Sequence, residues 1–199
     1  MTTAIIPSNE NQTPVHKAIR AASRATGIGF DYLMNTATRE SNLNPSARAK
    51  SSSASGLFQF VDSTWLQTMQ QHGAELGYAQ EAEAIRPAGN GNYTVDDPAM
   101  RQRIMALRFD PKANAMMAGA FTQQNNQFLS TALDRAPTQG ELYIAHFLGA
   151  EGAEKFISKA QDAPTVSAAA LFPKAASANP SIFYAQGRSR SMGEVYTSL

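Results

Sequence analysis

The feature that most constrains the fold of this chain is the regular pairing of helix-start signals with glycine stops. Three residue pairs place proline at the first helical position, where its missing N–H is not needed: Thr13-Pro14, Asp97-Pro98 and Asp110-Pro111. Three glycines follow apolar helical patterns and are expected to end them: Gly27, Gly73 and Gly149. No convincing alternation of apolar and polar residues, the pattern typical of a strand, occurs. The sequence therefore predicts an all-α fold.

Length and local composition predict one domain with two appendages. A chain of 199 residues is long enough to bury one good core. We expect residues 1–12 to form a flexible N-terminal arm and residues 13–160 to form the helical domain. Residues 161–199 begin with a stretch rich in Ala, Ser and Pro, and apolar residues near the end predict that this C-terminal tail packs on the core.

Charge and cysteine content exclude several classes of protein. The net charge is only +1, whereas a nucleic-acid binder needs a concentrated basic face, so we predict no nucleic-acid partner. The chain has no cysteine, which excludes disulfides, thiolate nucleophiles and zinc–cysteine sites. No apolar run approaches the ~18–20 residues of a membrane span, so no span is predicted. The first residues lack the basic region and apolar core of a signal peptide, which leaves export by another route or a missing leader open.

Glu40 is the acid whose position points most directly to chemistry. It ends an apolar helical pattern, and no other acid occurs between Asp31 and Asp62. With Leu33 at zero on a helical wheel, Ala37 lies near ~40° and Glu40 near ~−20°, at the edge of the apolar stripe. An acid in that position beside a polar loop is a candidate general acid. The alternative is a helix-end glutamate that pairs with an arginine.

Three segments in order carry a resemblance to a known family. They are Glu40-Ser41 followed by Asn44-Pro45, the segment Gly56-Leu57-Phe58-Gln59-Phe60, and Asp110-Pro111 followed by Asn114 and Gly119-Ala120. Together, over roughly residues 13–160, they resemble the soluble lytic transglycosylases, whose second motif has methionine where Phe58 stands. Residues 145–150 depart from the family's Ala-Tyr-Asn-Ala-Gly and, with residues 179–184, look like a subgroup found in alphaproteobacterial envelope and flagellar muramidases.

The resemblance implies a lysozyme-like, goose-type helical domain with a groove for the glycan strand of peptidoglycan. Enzymes of this family cleave the β-1,4 bond between N-acetylmuramic acid (MurNAc) and N-acetylglucosamine (GlcNAc) and leave a 1,6-anhydro ring. One glutamate, here Glu40, acts first as acid and then as base. The resemblance also implies a periplasmic or envelope location and a flagellar or secretion-system component as a further partner. No metal or organic cofactor is needed.

The residues themselves are compatible with a reaction that needs one acid. An ordinary glycosidase uses two carboxylates, ~5–5.5 Å apart for retention or ~6.5–9.5 Å apart for inversion. The nearest acid downstream of Glu40 is Asp62, which is better explained as a cap of the following helix. More distant acids could still reach the cleft: Glu75, Glu81, Glu83 and Asp97. Two alternative functions therefore stay open. One is a hydrolytic muramidase of the same fold, and the other is a catalytically inactive domain that binds glycan or docks on a secretion or flagellar assembly.

Five further residues are candidates for substrate binding: Ser41, Gln59, Phe60, Tyr143 and His146. Ser41 would bind the substrate or Glu40, with a local helix cap as the alternative. As the family's counterpart, Gln59 would bind the N-acetyl group or orient Glu40, and Phe60 would line the groove unless it packs in the core. Tyr143 and His146 lie three apart on one helix face, and either could take the place of the family's tyrosine, which hydrogen-bonds the glutamate. For His146 a core role is the alternative.

Overall fold

The computed structural model describes residues 13–89 and 91–199, and the predicted arm at residues 1–12 lies outside this range. The helices of its first half are α1 Pro14–Thr26, α2 Phe30–Ser41, α3 Asp62–His72, α4 Ala79–Glu83, α5 Pro98–Ala106, a 3-10 turn Leu107–Phe109, and α6 Pro111–Leu133. Those of the second half are α7 Gln139–Leu148, α8 Ala150–Asp162, α9 Ala168–Leu171, α10 Pro173–Ala178, α11 Pro180–Phe183 and α12 Met192–Thr197. The predicted all-α class is confirmed. No helix in the described part is long and apolar enough to cross a membrane.

The predicted helix starts and stops are confirmed at atomic detail. At α1, the Thr13 hydroxyl accepts a hydrogen bond from the His16 N–H, and Gly27 ends the helix with φ of 73°. At α6, the Asp110 carboxylate accepts the N–H of Ala113 at 2.7 Å. These side-chain oxygens satisfy N–H groups that have no partner within the first turn of a helix. Local sequence signals therefore define where most helices begin and end.

The chain folds as two compact units, the first ending at Ala120 and the second spanning Phe121–Leu199, so that the division falls within α6. In the first unit α1 packs on α2, and α3 packs on α4 and α5. Its core includes Ile19, Leu33, Trp65, Ile104 and Met117, all fully buried. A methyl group added at Gly119 would lie 2.5 Å from the Thr26 hydroxyl, so α1 and α6 approach each other closely at this glycine.

The described part of the chain contains two short hairpins that the sequence did not predict. Strands β1 (Arg86–Gly89) and β2 (Asn92–Thr94) pair antiparallel with a bulge. Strands β3 (Tyr184–Ala185) and β4 (Arg188–Ser189) form the second pair. β1 is exposed at every residue and β2 at two of its three, so neither strand needs the alternating apolar residues that reveal a half-buried strand.

The second unit contains α7, α8 and the C-terminal residues. Helix α12 packs on α8, and its Met192 and Val195 are fully buried. Phe183 is fully buried too, with its ring at 90° to that of Phe156 and the ring centroids 6.4 Å apart. Residues 161–180, which lack a strong periodic pattern, form the short helices α9 and α10. The buried apolar side chains Phe183, Met192 and Val195 of the tail are therefore part of a packed unit.

A buried carboxylate joins the start of α7 to α12. Glu141 is fully buried, and Arg135 donates to both of its oxygens, at 2.8 and 2.6 Å. The Tyr196 hydroxyl donates to it at 2.8 Å, and the Thr138 N–H donates at 2.7 Å as part of a capping box at the start of α7. The Arg135 hydrogen bonds, helped by those from Thr138 and Tyr196, outweigh burial and lower the pKa of Glu141 from 4.5 to about 2.

We expect Glu141→Gln to destabilise the protein by about 3 kcal/mol at neutral pH, because a carboxylate with a lowered pKa favours the folded state. That stability is present above the unfolded-state pKa of 4.5 and is lost as pH falls towards 2. Urea unfolding at a series of pH values should therefore show a steep loss in the parent and a shallower one in the variant. Glu194 is the matched control, since it has the same arginine fork and capping box but is solvent-exposed. Equal effects of Glu141→Gln and Glu194→Gln would contradict this account.

Candidate active site

Glu40 lies in the last turn of α2. The predicted apolar stripe of this helix is confirmed, since Leu33 and Ala37 are fully buried, and Glu40 at its edge is half-buried. A half-buried carboxyl is partly shielded from water yet accessible from one side. This is the exposure that a proton donor to a bound polymer requires.

The chain leaves α2 in a strained conformation directly after Glu40. Five non-glycine residues in the described part have positive φ, and three of them lie in this region: Asn42 at 52°, Leu43 at 61° and Gln59 at 51°. Left-handed conformations cost roughly 1–2 kcal/mol for residues with a side chain, so they persist only where surrounding contacts impose them. Their concentration in the first two predicted motifs, residues 40–45 and 56–60, marks the region as a candidate functional site.

Ser41 connects α2 to the second motif, which is residues 56–60. Its hydroxyl is within hydrogen-bond distance of the Leu57 carbonyl at 2.8 Å and of the Ala37 carbonyl at 3.1 Å. A hydroxyl has one proton to donate, and here both nearby acceptors belong to the protein itself. Ser41 therefore fixes the position of the second motif beside the end of α2, and its predicted contact with substrate would have to use an oxygen lone pair.

The connection between α2 and α3, residues 42–61, is a hydrogen-bonded structure that we call the Gln59 loop. Ser55 and Phe60 exchange two backbone hydrogen bonds at 3.1 Å. The Gly56 N–H donates to the Ala47 carbonyl at 2.8 Å. The Gln59 loop therefore resembles a small irregular hairpin whose internal bonds define one conformation.

Gln59 turns its amide nitrogen back into the loop. The Nε2 group donates to the Gly56 carbonyl at 2.8 Å and to the Ala47 carbonyl at 3.4 Å. Because both neighbours are acceptors, the nitrogen must face them, which identifies the other terminal atom as Oε1. Among the described residues no donor reaches Oε1, and Gln59 is half-buried. Oε1 is an acceptor placed to receive an N–H such as that of an acetamido group.

Asn114, on α6, holds the second motif in place by hydrogen bonds. It is fully buried; its Oδ1 accepts the Phe58 N–H at 2.8 Å, and its Nδ2 donates to the Arg108 carbonyl at 2.9 Å. Gly56, with φ of +82°, lies so close that an added methyl group would be 2.0 Å from the Arg108 carbonyl oxygen. Asn114 therefore anchors the second motif, and only glycine fits at position 56.

The buried side chain of Arg108 links the middle of the Gln59 loop to its C-terminal end. Its Nη1 donates to the Asp62 carboxylate at 2.6 Å, to the Ser53 carbonyl at 2.9 Å and to the Phe60 carbonyl at 3.3 Å. The expectation that Asp62 caps α3 is wrong: Val61 occupies the cap position without a side-chain hydrogen bond. The Asp62 carboxylate forms an ion pair with Arg108 instead, because the guanidinium lies within reach and compensates its charge.

The aromatic residues of the second motif are core residues. Phe58 and Phe60 are 1% and 3% exposed. The Phe60 ring meets Trp65 edge-on with 5.4 Å between ring centroids, and the Trp65 Nε1 donates to the Ile104 carbonyl at 2.9 Å. This packing accounts for Phe60 without a ligand, and its predicted contact with substrate stays a prediction.

Tyr143 and His146 lie on α7, in the second unit. Their rings are stacked, with 6.0 Å between centroids and 9° between planes, and Phe121 meets the His146 ring edge-on. Tyr143 is buried and His146 is half-buried. The two candidates thus form one aromatic cluster, and the choice of the residue that orients Glu40 stays a prediction.

The acids proposed as distant second carboxylates have other roles or face solvent. Glu81 is buried and pairs with Arg103 at 2.8 Å, and Asp97 caps α5. Glu75 and Glu83 are exposed. Among the described residues no group of three or more His, Asp or Glu side chains could hold a metal ion. None of these four distant acids lies in the Gln59 loop or in the last turn of α2, where Glu40 is half-buried.

Comparison with known protein families supports the interpretation of these motifs. Residues 17–136 match the family model described as "Transglycosylase SLT domain", which covers more than half of the chain. The chain belongs to this family, which has a lysozyme-like fold and generally acts as lytic transglycosylases on peptidoglycan. The matched range contains Glu40, Gln59 and Asn114, whereas Tyr143 and His146 lie beyond it. The predicted family and fold class are thereby confirmed.

Proposed function

We propose that this protein is a lytic transglycosylase that cleaves the MurNAc-β-1,4-GlcNAc bond with formation of 1,6-anhydro-MurNAc. Glu40 is its single general acid and base. The observation that supports this proposal most is the position of Glu40, which is half-buried in the last turn of α2, directly before the Gln59 loop. The Gln59 loop is itself held in one conformation by its internal hydrogen bonds and by Asn114.

In the first step, protonated Glu40 gives its proton to the glycosidic oxygen while the bond from that oxygen to MurNAc C1 breaks. The GlcNAc side departs with a neutral hydroxyl. The carbonyl oxygen of the MurNAc acetamido group bonds to C1 and takes up the developing positive charge. The substrate thus supplies the group that a second carboxylate provides in ordinary retaining glycosidases.

In the second step, ionised Glu40 accepts the proton of the MurNAc C6 hydroxyl. The C6 oxygen forms a bond to C1, and the bond between C1 and the acetamido oxygen breaks. The products are a 1,6-anhydro ring and a reprotonated Glu40, so that no water is consumed. One carboxyl can serve both steps because its protonation state after the first step is the one that the second step needs.

The other predicted residues position the substrate and the acid. Gln59 Oε1 accepts the acetamido N–H, which holds that group against C1. Ser41 keeps the Gln59 loop beside the end of α2 through the Leu57 carbonyl. Tyr143 or His146 orients Glu40, as the resemblance to the family implies. Action on peptidoglycan in the periplasm, with a flagellar or secretion-system component as partner, completes the proposal and follows from the resemblance to the envelope and flagellar subgroup.

The proposal is tested by identifying the ends that the purified protein leaves on peptidoglycan. We expect fragments whose mass is lower by one water molecule than that of hydrolysis products and which borohydride does not reduce. Reducible muramic acid ends would identify a hydrolytic muramidase. Fragment release by neither route, with glycan strands still bound, would identify a glycan-binding domain.

We expect Gln59→Gly to lower kcat by ~10²-fold while changing stability little. Glycine removes the amide but also relieves the left-handed strain, so about 1 kcal/mol of relief offsets the lost hydrogen bonds. Gln186→Gly is the matched control, because Gln186 has the same φ of 51° on an exposed turn. Turnover rates and urea unfolding of both variants provide the comparison, and unchanged turnover by Gln59→Gly would exclude its role.

A further inference from the structure

Arg48 is an exposed arginine whose side chain is nevertheless held in place. Its guanidinium carbon lies 4.0 Å from the centroid of the Phe109 ring, over the face of that ring. Its backbone forms a bridge with Ser55 inside the Gln59 loop. A cation over an aromatic face is attracted by the ring and loses rotational freedom before any ligand arrives.

The charge of Arg48 is not neutralised by the protein. Among the residues that the structure describes, no carboxylate forms an ion pair with Arg48, whereas Arg86, Arg103 and Arg108 each have one. The stretch 41–61 contains no acid, and Lys50 adds a second positive charge to it. The loop therefore presents uncompensated positive charge to solvent.

Arg48 is also close in the chain to the group that holds Gln59. The carbonyl of Ala47, the residue directly before it, accepts the Gly56 N–H at 2.8 Å and the Gln59 Nε2 at 3.4 Å. The backbone that carries Arg48 is thus part of the same hydrogen-bonded structure as Gln59. A glycan strand bound at Gln59 therefore contacts the same loop that carries Arg48.

We propose that Arg48 is a binding residue for a carboxylate of the peptidoglycan substrate; this inference rests on the proposed function. A guanidinium with one face on a ring keeps its N–H edges open, and those edges match the two oxygens of a carboxylate. The N-acetyl sugars are neutral, so the carboxylates of the strand come from two sources. They belong to the stem peptides or to lactyl groups that carry no peptide.

The test measures equilibrium binding of soluble glycan fragments to the full chain carrying Glu40→Gln, with and without Arg48→Ala. Three fragments are compared: strands with stem peptides, amidase-treated strands with free lactyl carboxylates, and treated strands whose carboxylates have been converted to neutral amides. We expect Arg48→Ala to weaken binding of carboxylate-bearing fragments about five- to tenfold, with the difference shrinking in high salt. Binding of the neutral fragment should not change.

A loss confined to the peptide-bearing strands identifies the stem peptide as the source, and a loss on free lactyl strands identifies the lactyl group. Arg48→Lys and Phe109→Leu should each weaken binding of carboxylate-bearing fragments by less than Arg48→Ala does. Arg48→Lys keeps the charge but removes the planar guanidinium, and Phe109→Leu removes the ring that holds the guanidinium in place. Arg101→Ala is the matched control, as Arg101 is an exposed arginine on α5. Equal weakening on all three fragments, or none on any, would overturn the proposal.

Binding and turnover separate this inference from the proposed function. If the parent releases no anhydro products but Arg48→Ala still weakens binding of carboxylate-bearing strands, the chemistry proposed for Glu40 fails and the Arg48 site stands. If anhydro products form and the Arg48→Ala variant binds all three fragments as tightly as its parent does, the Arg48 site fails and the chemistry stands. Failure of the Glu40→Gln protein to bind any fragment contradicts both.

Discussion

Replacing Glu40 by glutamine should lower turnover of peptidoglycan by about 10³-fold or more while leaving the fold intact. Glutamine has nearly the shape of glutamate, so the half-buried position at the end of α2 can hold it. Its amide neither gives a proton to the glycosidic oxygen nor takes one from the C6 hydroxyl. Both steps of the proposed reaction are therefore lost together. Rates of anhydro-product release and far-UV circular dichroism of the purified variant provide the measurement.

Glu83→Gln is the control for this experiment. Glu83 lies in the same unit, on α4, and is exposed to solvent. The two substitutions remove the same charge, so an effect specific to Glu40 is an effect of position. We expect Glu83→Gln to retain the parent rate. A Glu40→Gln protein that turns over peptidoglycan at a rate comparable to its parent would rule out Glu40 as the acid.

Gly56→Ala should be the most destabilising single-methyl substitution in the first unit, with a loss of about 4 kcal/mol or more. The added carbon would lie 2.0 Å from the Arg108 carbonyl oxygen, a backbone atom that no rotamer change can move aside. The residue also has φ of +82°, which adds roughly 1–2 kcal/mol of strain for a side chain. We expect a lower urea midpoint and, because the Gln59 loop must shift, loss of turnover.

Gly77→Ala separates the two causes. Gly77 has φ of +92°, but nothing lies within 4 Å of the position of an added methyl group. This variant should lose only the conformational part, about 1 kcal/mol, and should keep its activity. Equal loss of stability in the two variants would mean that the close approach between Gly56 and the Arg108 carbonyl is not what restricts position 56.

The sequence predicts those parts of the fold that local signals determine. Proline at a first helical position, threonine or aspartate before it and glycine after the last turn act within a few residues, so the bounds of α1 and the start of α6 follow from them. The same holds for the apolar stripe of α2, which depends only on the spacing of Leu33 and Ala37 relative to Glu40. The family could be recognised because its motifs are short and lie in order.

The sequence does not predict the contacts that hold the site together, because these join residues far apart in the chain. The ion pair between Arg108 and Asp62 gives no local signal, and an aspartate at the start of a helix is most simply explained as a cap. The bond from Ser41 to the Leu57 carbonyl is similarly invisible in the sequence, since serine near a helix end suits a local bond equally well. Long-range hydrogen bonds therefore decide roles that residue type leaves open.

The central claim is that Glu40 is the single general acid and base, and that the C6 hydroxyl of the substrate, rather than water, attacks C1. Digestion of peptidoglycan in heavy-oxygen water tests it most directly, because a hydrolase must place a solvent oxygen on the new muramic acid end. We predict that mass spectrometry finds anhydro ends without heavy oxygen, formed by the parent and absent with Glu40→Gln. Muramic acid ends that carry heavy oxygen would contradict the claim, because water rather than the C6 hydroxyl would then have attacked C1.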